Sequence, residues 1–124
     1  MKKGIRKGNN GGVAGLVTTT AGPDLCHTIP AGRTVKIRKI MWYNNTGAGE
    51  TLIFGTQTNA AAWVPLFPAI NCVNGFDGEM LEEEIPDHEF INDRTVGAGT
   101  TGNILVQASA VGIIVSLEVE EFGA

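Results

Sequence analysis

Aromatic and charged side chains are scarce in this sequence, and so are the residue types on which most enzymes depend. Aromatic residues make up 6% and charged residues 18% of the 124 positions, whereas about a quarter of an average soluble protein is charged. Histidine and cysteine occur only twice each. No apolar run approaches the roughly 20 residues of a membrane-spanning helix. We therefore expect a single-domain protein that has no membrane partner.

The basic start of the chain does not continue as a secretory signal. Residues 9–12 read Asn-Asn-Gly-Gly, where an export signal has an apolar core. We therefore expect the protein to remain in the compartment where it is made. In that setting Cys26 and Cys72 are predicted to be buried, reduced thiols.

The residues capable of catalysis or metal binding are not spaced for either. His27 and His88 lie far apart in the chain, and neither belongs to a His-x-His or His-x-x-x-His pair. Cys26 directly precedes His27, but neighbours on a strand point to opposite faces and cannot form an activated pair. The acidic residues 77–93 lack the spacing of an EF-hand. The sequence predicts no enzyme, no cofactor and no metal site.

Glycine, threonine and β-branched residues are plentiful, and they occur in short segments separated by turn signals. The turns recur about every 8–12 residues, which is typical of a sandwich or a small barrel. We predict an all-β, jelly-roll-like antiparallel β-sandwich of about eight strands over residues 13–124. Residues 1–12 are basic and rich in glycine and asparagine, and they predict a flexible arm.

The longest predicted strand, residues 33–43, changes its pattern partway. Val35 and Ile37 share one parity, whereas Ile40 falls on the other. Either a β-bulge near Lys39 swaps the faces, or the two halves of the strand face different environments. The turn residues 44–49 predict a hairpin that pairs this strand with residues 51–58.

Three apolar aromatic side chains are candidate anchors. Trp42 is predicted to belong to the core. Trp63 and Phe67 lie in a segment interrupted by two prolines, which suits an edge strand or a packed loop. For these two residues a place in the core and a place in an interface remain equal alternatives, because aromatic residues dominate both environments.

Charge is distributed in two opposite blocks. Residues 1–43 carry eight basic side chains and one acidic side chain, and residues 44–124 carry one basic and twelve acidic ones. The blocks can pair within one subunit or between neighbours, and we expect contact between copies, which sets register and orientation. The predicted partner-binding residues are Lys2, Lys3, Arg6, Lys7, Arg33, Lys36, Arg38, Lys39, Glu82, Glu83, Glu84, Trp63 and Phe67.

A resemblance to a known family rests on two turns. The stretch Ile29-Pro30-Ala31-Gly32-Arg33, the long strand after it and the turn Asn44-Asn45-Thr46-Gly47 resemble the small β-sandwich virion proteins of tailed bacteriophages. The resemblance implies a head decoration (cement) protein, made in the host cytoplasm and located in the virion. It implies a homo-oligomer, with a trimer favoured, that binds the major capsid protein and grips the shell with its N-terminal arm.

Two other functions remain as alternatives. The chain is a candidate main subunit of a self-assembling shell or filament, with its arm turned toward nucleic acid, where it would make non-specific phosphate contacts. It is also a candidate carbohydrate- or calcium-binding sandwich module. The sign of a carbohydrate module would be an exposed platform formed by Trp63, Tyr43 or Trp42.

Overall fold

Every element in the described part of the chain is a β-strand. The computed structural model describes residues 5–7, 16–19, 22–30, 32–58, 62–65, 68–75, 77–81, 84–85, 89–91 and 100–123. The strands are β1 (Ile5–Lys7), β2 (Leu16–Val17), β3 (Asp24–Thr28), β4 (Thr34–Tyr43), β5 (Glu50–Thr58), β6 (Trp63–Pro65), β7 (Ile70–Cys72), β8 (Asp77–Leu81), β9 (Glu89–Ile91), β10 (Thr100–Ala108) and β11 (Ile114–Phe122). The predicted all-β fold is confirmed.

The strands form two antiparallel sheets. In the first sheet the order is β1-β11-β4-β8, with β2 also paired to β11 and β9 also paired to β4. In the second sheet the order is β3-β10-β5-β6, with β7 also paired to β5. β11 alternates between buried and outward side chains. Buried residues of both sheets belong to one hydrophobic cluster, so the sheets share one interior as a sandwich.

Three strand positions are each occupied by two short strands in sequence. β1 and β2 follow one another along the same edge of β11, β8 and β9 do so along β4, and β6 and β7 along β5. The eleven strands therefore fill eight positions, four in each sheet. The predicted number of about eight is confirmed in this sense.

The core consists of the inward side chains of both sheets. Val35 and Ile40 of β4 and Phe54 of β5 are fully buried in one hydrophobic cluster with Val106 of β10. Burial of such side chains contributes about 1.5–3 kcal/mol each. Trp42 packs against this cluster and is half-buried, in agreement with its predicted place in the core.

β4 contains the predicted bulge. Its pairing with β11 shifts between Glu118, which lies opposite Lys39, and Val119, which lies opposite Ile37, so that Arg38 is the additional residue. Val35 and Ile37 before the bulge and Ile40 after it are all buried. The bulge keeps both halves of the strand facing the same core, which decides between the two interpretations of the sequence.

The predicted hairpin between β4 and β5 is wrong. β4 pairs with β11, β8 and β9, whereas β5 belongs to the other sheet. Both edges of β4 are already occupied along its length, so the chain crosses between sheets after Tyr43. The turn residues were recognised correctly, but they serve a crossover and not a hairpin.

Part of the predicted N-terminal arm is a strand. Ile5–Lys7 pair antiparallel with β11, with Ile5 opposite Glu121 and Lys7 opposite Val119. The strand forms here because β2 covers only the first two residues of β11 on this side, which leaves the rest of its edge available. The other residues of the predicted arm lie outside the described residues.

Candidate interaction faces of the sandwich

The two charge blocks meet within one chain. Arg38 Nε lies 2.9 Å from Glu120 Oε1, and Lys39 Nζ lies 3.3 Å from Glu79 Oε2. Arg33 Nη1 lies 3.3 Å from Glu121 Oε2. These pairs are intramolecular because β11 and β8 flank β4, so the charge blocks no longer argue for contact between subunits.

Register brings charged residue types of opposite sign together in the first sheet. Glu120 of β11 pairs with Arg6 of β1 and with Lys36 of β4, and Lys36 in turn pairs with Glu89 of β9. The residue types at these paired positions alternate in sign, which favours the observed strand order.

Glu121 forms a buried polar contact between the sheets. Its side chain is 2% exposed, and its Oε1 lies 3.2 Å from Nε2 of the equally buried His27. Its other carboxylate oxygen accepts a hydrogen bond from Arg33. β11 and β3 belong to different sheets, so this contact helps to fix one sheet on the other. The alternation of Val115, Leu117 and Val119 is the sequence signal that would have placed residue 121 inside.

The centre of the outer face of the second sheet is uncharged in the described residues. The carboxylates of its strands, Asp24 and Glu50, lie at strand ends and accept hydrogen bonds from Thr19 and Ser109. Its central outward positions carry apolar, hydroxyl and amide side chains. One row crosses the whole sheet, because Leu25 lies opposite Leu105, Leu105 opposite Gly55, and Gly55 opposite Pro65.

Trp63 completes this row. Its ring lies over Gly55, where an added Cβ would come within 2.7 Å of two indole carbons. The apolar belt, defined as Leu25, Leu105, Trp63 and Pro65, is exposed only at its two ends. Leu25 is 41% exposed and Pro65 is exposed, whereas Leu105 between them is buried. Trp63 is half-buried and lies on the surface of the sheet rather than in the core.

Several predicted partner-binding residues cannot be placed. Lys2, Lys3, Glu82, Glu83 and Phe67 lie outside the described residues. Glu84 is exposed, and its Oε2 accepts a hydrogen bond from the backbone N–H of Leu81 at 2.9 Å. That contact joins Glu84 to the end of β8.

Both cysteines are buried free thiols, as predicted. Burial and, secondarily, the negative charge of Asp24 raise the pKa of Cys26 from 9.0 to about 12. Burial raises the pKa of Cys72 to about 11. At neutral pH both thiols are protonated and are poor nucleophiles. His27 is engaged by Glu121, as a hydrogen-bonded imidazole rather than as the base of a thiol pair.

No group of three or more histidine, cysteine, aspartate or glutamate side chains in the described part of the chain is arranged to hold a metal ion. Within the same residues there is no helix long and apolar enough to cross a bilayer.

A groove on the outer face of the first sheet is a feature that the sequence did not reveal. It has a volume of about 700 Å³ and lies over β4 between β11 and β8. Tyr43, one of its lining residues, was a candidate for a carbohydrate-binding platform. Its neighbours in the groove, Ile114 and Asp77, belong to strands that are distant from β4 in sequence. Only the sheet register brings them together.

A scan against protein-family models finds no match to this chain, and a search of curated proteins finds no relative. The proposals below therefore rest on the sequence and on the geometry of the two outer faces.

Proposed function

We propose that this protein is a non-enzymatic virion structural protein that self-associates and stabilises a capsid as a decoration protein. The proposal includes a jelly-roll fold. We number the eight strand positions 1 to 8 in chain order. One sheet then has the order 1-8-3-6, and the other has the order 2-7-4-5. Two four-stranded sheets built from Greek keys are typical of jelly rolls, which occur in viral capsid and lectin domains.

The observation that carries self-association is the apolar belt. An interface core is depleted of charge and enriched in aromatic residues, and the belt has both properties. A second copy of the chain is the proposed occupant. Charge argues in the same direction, because the belt itself carries no charge while charges of the first sheet pair within the chain.

The remaining parts of the proposal follow from the resemblance. A trimer is the favoured oligomer, and the major capsid protein is the proposed partner in the virion. Lys2 and Lys3 are the proposed contacts to the shell, because Arg6 and Lys7 lie in β1 within the chain's own sheet. Contact of these bases with nucleic acid would be non-specific.

Two matched substitutions test the belt. Leu25 and Ile114 are 41% and 42% exposed, on opposite outer faces. Leu25→Asp would place a charge in the proposed interface, and we expect the dissociation constant of the oligomer to rise at least about a hundredfold. Ile114→Asp is expected to leave the oligomer unchanged. Sedimentation velocity measures the oligomeric state of each variant. If the two substitutions had equal effects, the proposal that the belt is the interface would be contradicted.

Electron microscopy of the purified protein separates a decoration protein from a shell subunit. A decoration protein alone is expected to form a small oligomer of fixed size, with three chains in the favoured case. Closed particles or filaments formed by the pure protein would overturn the decoration role and identify a main assembly subunit instead.

A further inference from the structure

The groove on the outer face of the first sheet has the dimensions and composition of a small-molecule site. Its volume of about 700 Å³ lies within the range of about 300–1,000 Å³ that such sites occupy. Side chains from three strands form its walls: Met41, Tyr43, Asp77, Glu79, Ile114 and Ser116. Trp42 and Gly78 also line the groove.

Apolar surface is available in the groove. Ile114 is 42% exposed and Tyr43 is 37% exposed, and the two residues lie directly opposite each other on β11 and β4. Met41 lies on the same face, two residues from Tyr43. A tyrosine ring offers an electron-rich face to C–H groups of a ligand, together with a hydroxyl at its edge.

Polar groups in the groove are not used by the protein itself. Within the described residues the side chains of Tyr43, Ser116 and Asp77 form no hydrogen bond or ion pair. Glu79 pairs with Lys39 at 3.3 Å and keeps a second carboxylate oxygen. The groove thus offers two hydroxyls and two carboxylates to a ligand, a combination that donates to and accepts from neighbouring O–H groups.

The charge balance of the groove selects among ligands. The carboxylate of Asp77 disfavours an anion. A cation gains less than it would from two unpaired carboxylates, because the ammonium of Lys39 lies beside Glu79 and leaves about one net negative charge among Asp77, Glu79 and Lys39. A neutral polyhydroxyl ligand uses both features, since its O–H groups donate charge-assisted hydrogen bonds to the carboxylates and its C–H face covers the Tyr43 ring.

We propose that this groove binds a neutral saccharide of one or two sugar units. Tyr43 and Ile114 provide the apolar platform, Asp77 and Glu79 accept hydrogen bonds from sugar hydroxyls, and Ser116 completes the polar rim. The inference is independent of self-association, because the groove and the apolar belt lie on opposite outer faces of the sandwich.

Saturation-transfer NMR on the full-length protein tests the site. The probes are maltose, cellobiose, lactose and N,N′-diacetylchitobiose, with choline as a cationic comparison. We expect at least one disaccharide to bind with a dissociation constant on the order of 1 mM. Tyr43→Ala is expected to weaken it at least about tenfold through loss of the ring, and Asp77→Asn about threefold or more through loss of the charge-assisted bond.

Leu25→Asp is the control that separates this proposal from the proposed function, since it is expected to disrupt the oligomer and leave saccharide binding intact. Thermal unfolding of each variant verifies that it is folded. The proposal is overturned if no disaccharide binds, if choline binds and the sugars do not, or if sugar binding persists unchanged in Tyr43→Ala.

Discussion

The side chain of Asn44 is buried and makes four hydrogen bonds. Its Nδ2 donates to the carbonyls of Ala48 and Cys72, both at 2.9 Å. Its Oδ1 accepts from the backbone N–H and the hydroxyl of Thr46 at 3.0 and 2.8 Å. One amide therefore shapes the crossover after β4 and attaches it to the end of β7 in the other sheet.

Asn44→Asp should destabilise the fold strongly, because a carboxylate would face two carbonyl oxygens that lose their donor. We expect the free energy of unfolding to fall by about 3 kcal/mol. The neighbouring Asn45 is exposed, so Asn45→Asp should change it by less than about 0.5 kcal/mol. Urea denaturation of the two variants measures the contrast, and similar values for both would contradict the role of Asn44.

At the scale of the element, β4 is the strand that organises the first sheet. It pairs with β11 along its whole length and with β8 and β9 on its other edge. The bulge at Arg38 allows Val35 and Ile40 to reach one core despite their opposite parity. Without the extra residue, one half of the strand would point its apolar side chains away from the core.

Deletion of Arg38 should therefore abolish the cooperative fold or lower the free energy of unfolding by more than about 3 kcal/mol. Arg38→Gln keeps the backbone count and removes the guanidinium with its ion pair to Glu120, so we expect a loss of about 1 kcal/mol. Circular dichroism during thermal unfolding compares the two. A deletion variant as stable as Arg38→Gln would show that the bulge is dispensable.

Local patterns predicted the all-β fold and gave the bulge as one of two alternatives, because both depend on the alternation of neighbouring side chains. Val35, Ile37 and Ile40 carry that information themselves. Local patterns do not predict which strands pair, because β4 pairs with β11, which lies far along the chain. A turn sequence such as residues 44–49 is also equally compatible with a hairpin and with a crossover between sheets. The hairpin prediction failed for this reason.

The candidate sites likewise combine features that local patterns predict with features that depend on strand pairing. Trp63 was recognised as an anchor from its type and its neighbouring proline, but its position over Gly55 depends on the pairing of β5 with β6. The groove around Tyr43 depends on three strands in register. The burial of Glu121 was readable from the alternation along β11, yet its contact with His27 required the packing of two sheets.

At the scale of the whole molecule, the sandwich has two dissimilar outer faces. The first sheet carries charges that pair across its strands, and the second carries the uncharged apolar belt. Exposed ion pairs contribute little to association and weaken as salt rises, whereas apolar contact does not. The charges therefore support strand order within a chain, whereas the apolar belt is the surface proposed to join chains.

The sedimentation velocity of the unmodified protein across a salt series tests this separation most directly. At micromolar protein concentration we expect one oligomer of unchanged size from low to high salt, because the proposed interface is apolar. A monomer throughout the series would contradict self-association. An oligomer that dissociates as salt is added would show that charged groups join the subunits and would contradict the assignment to the belt.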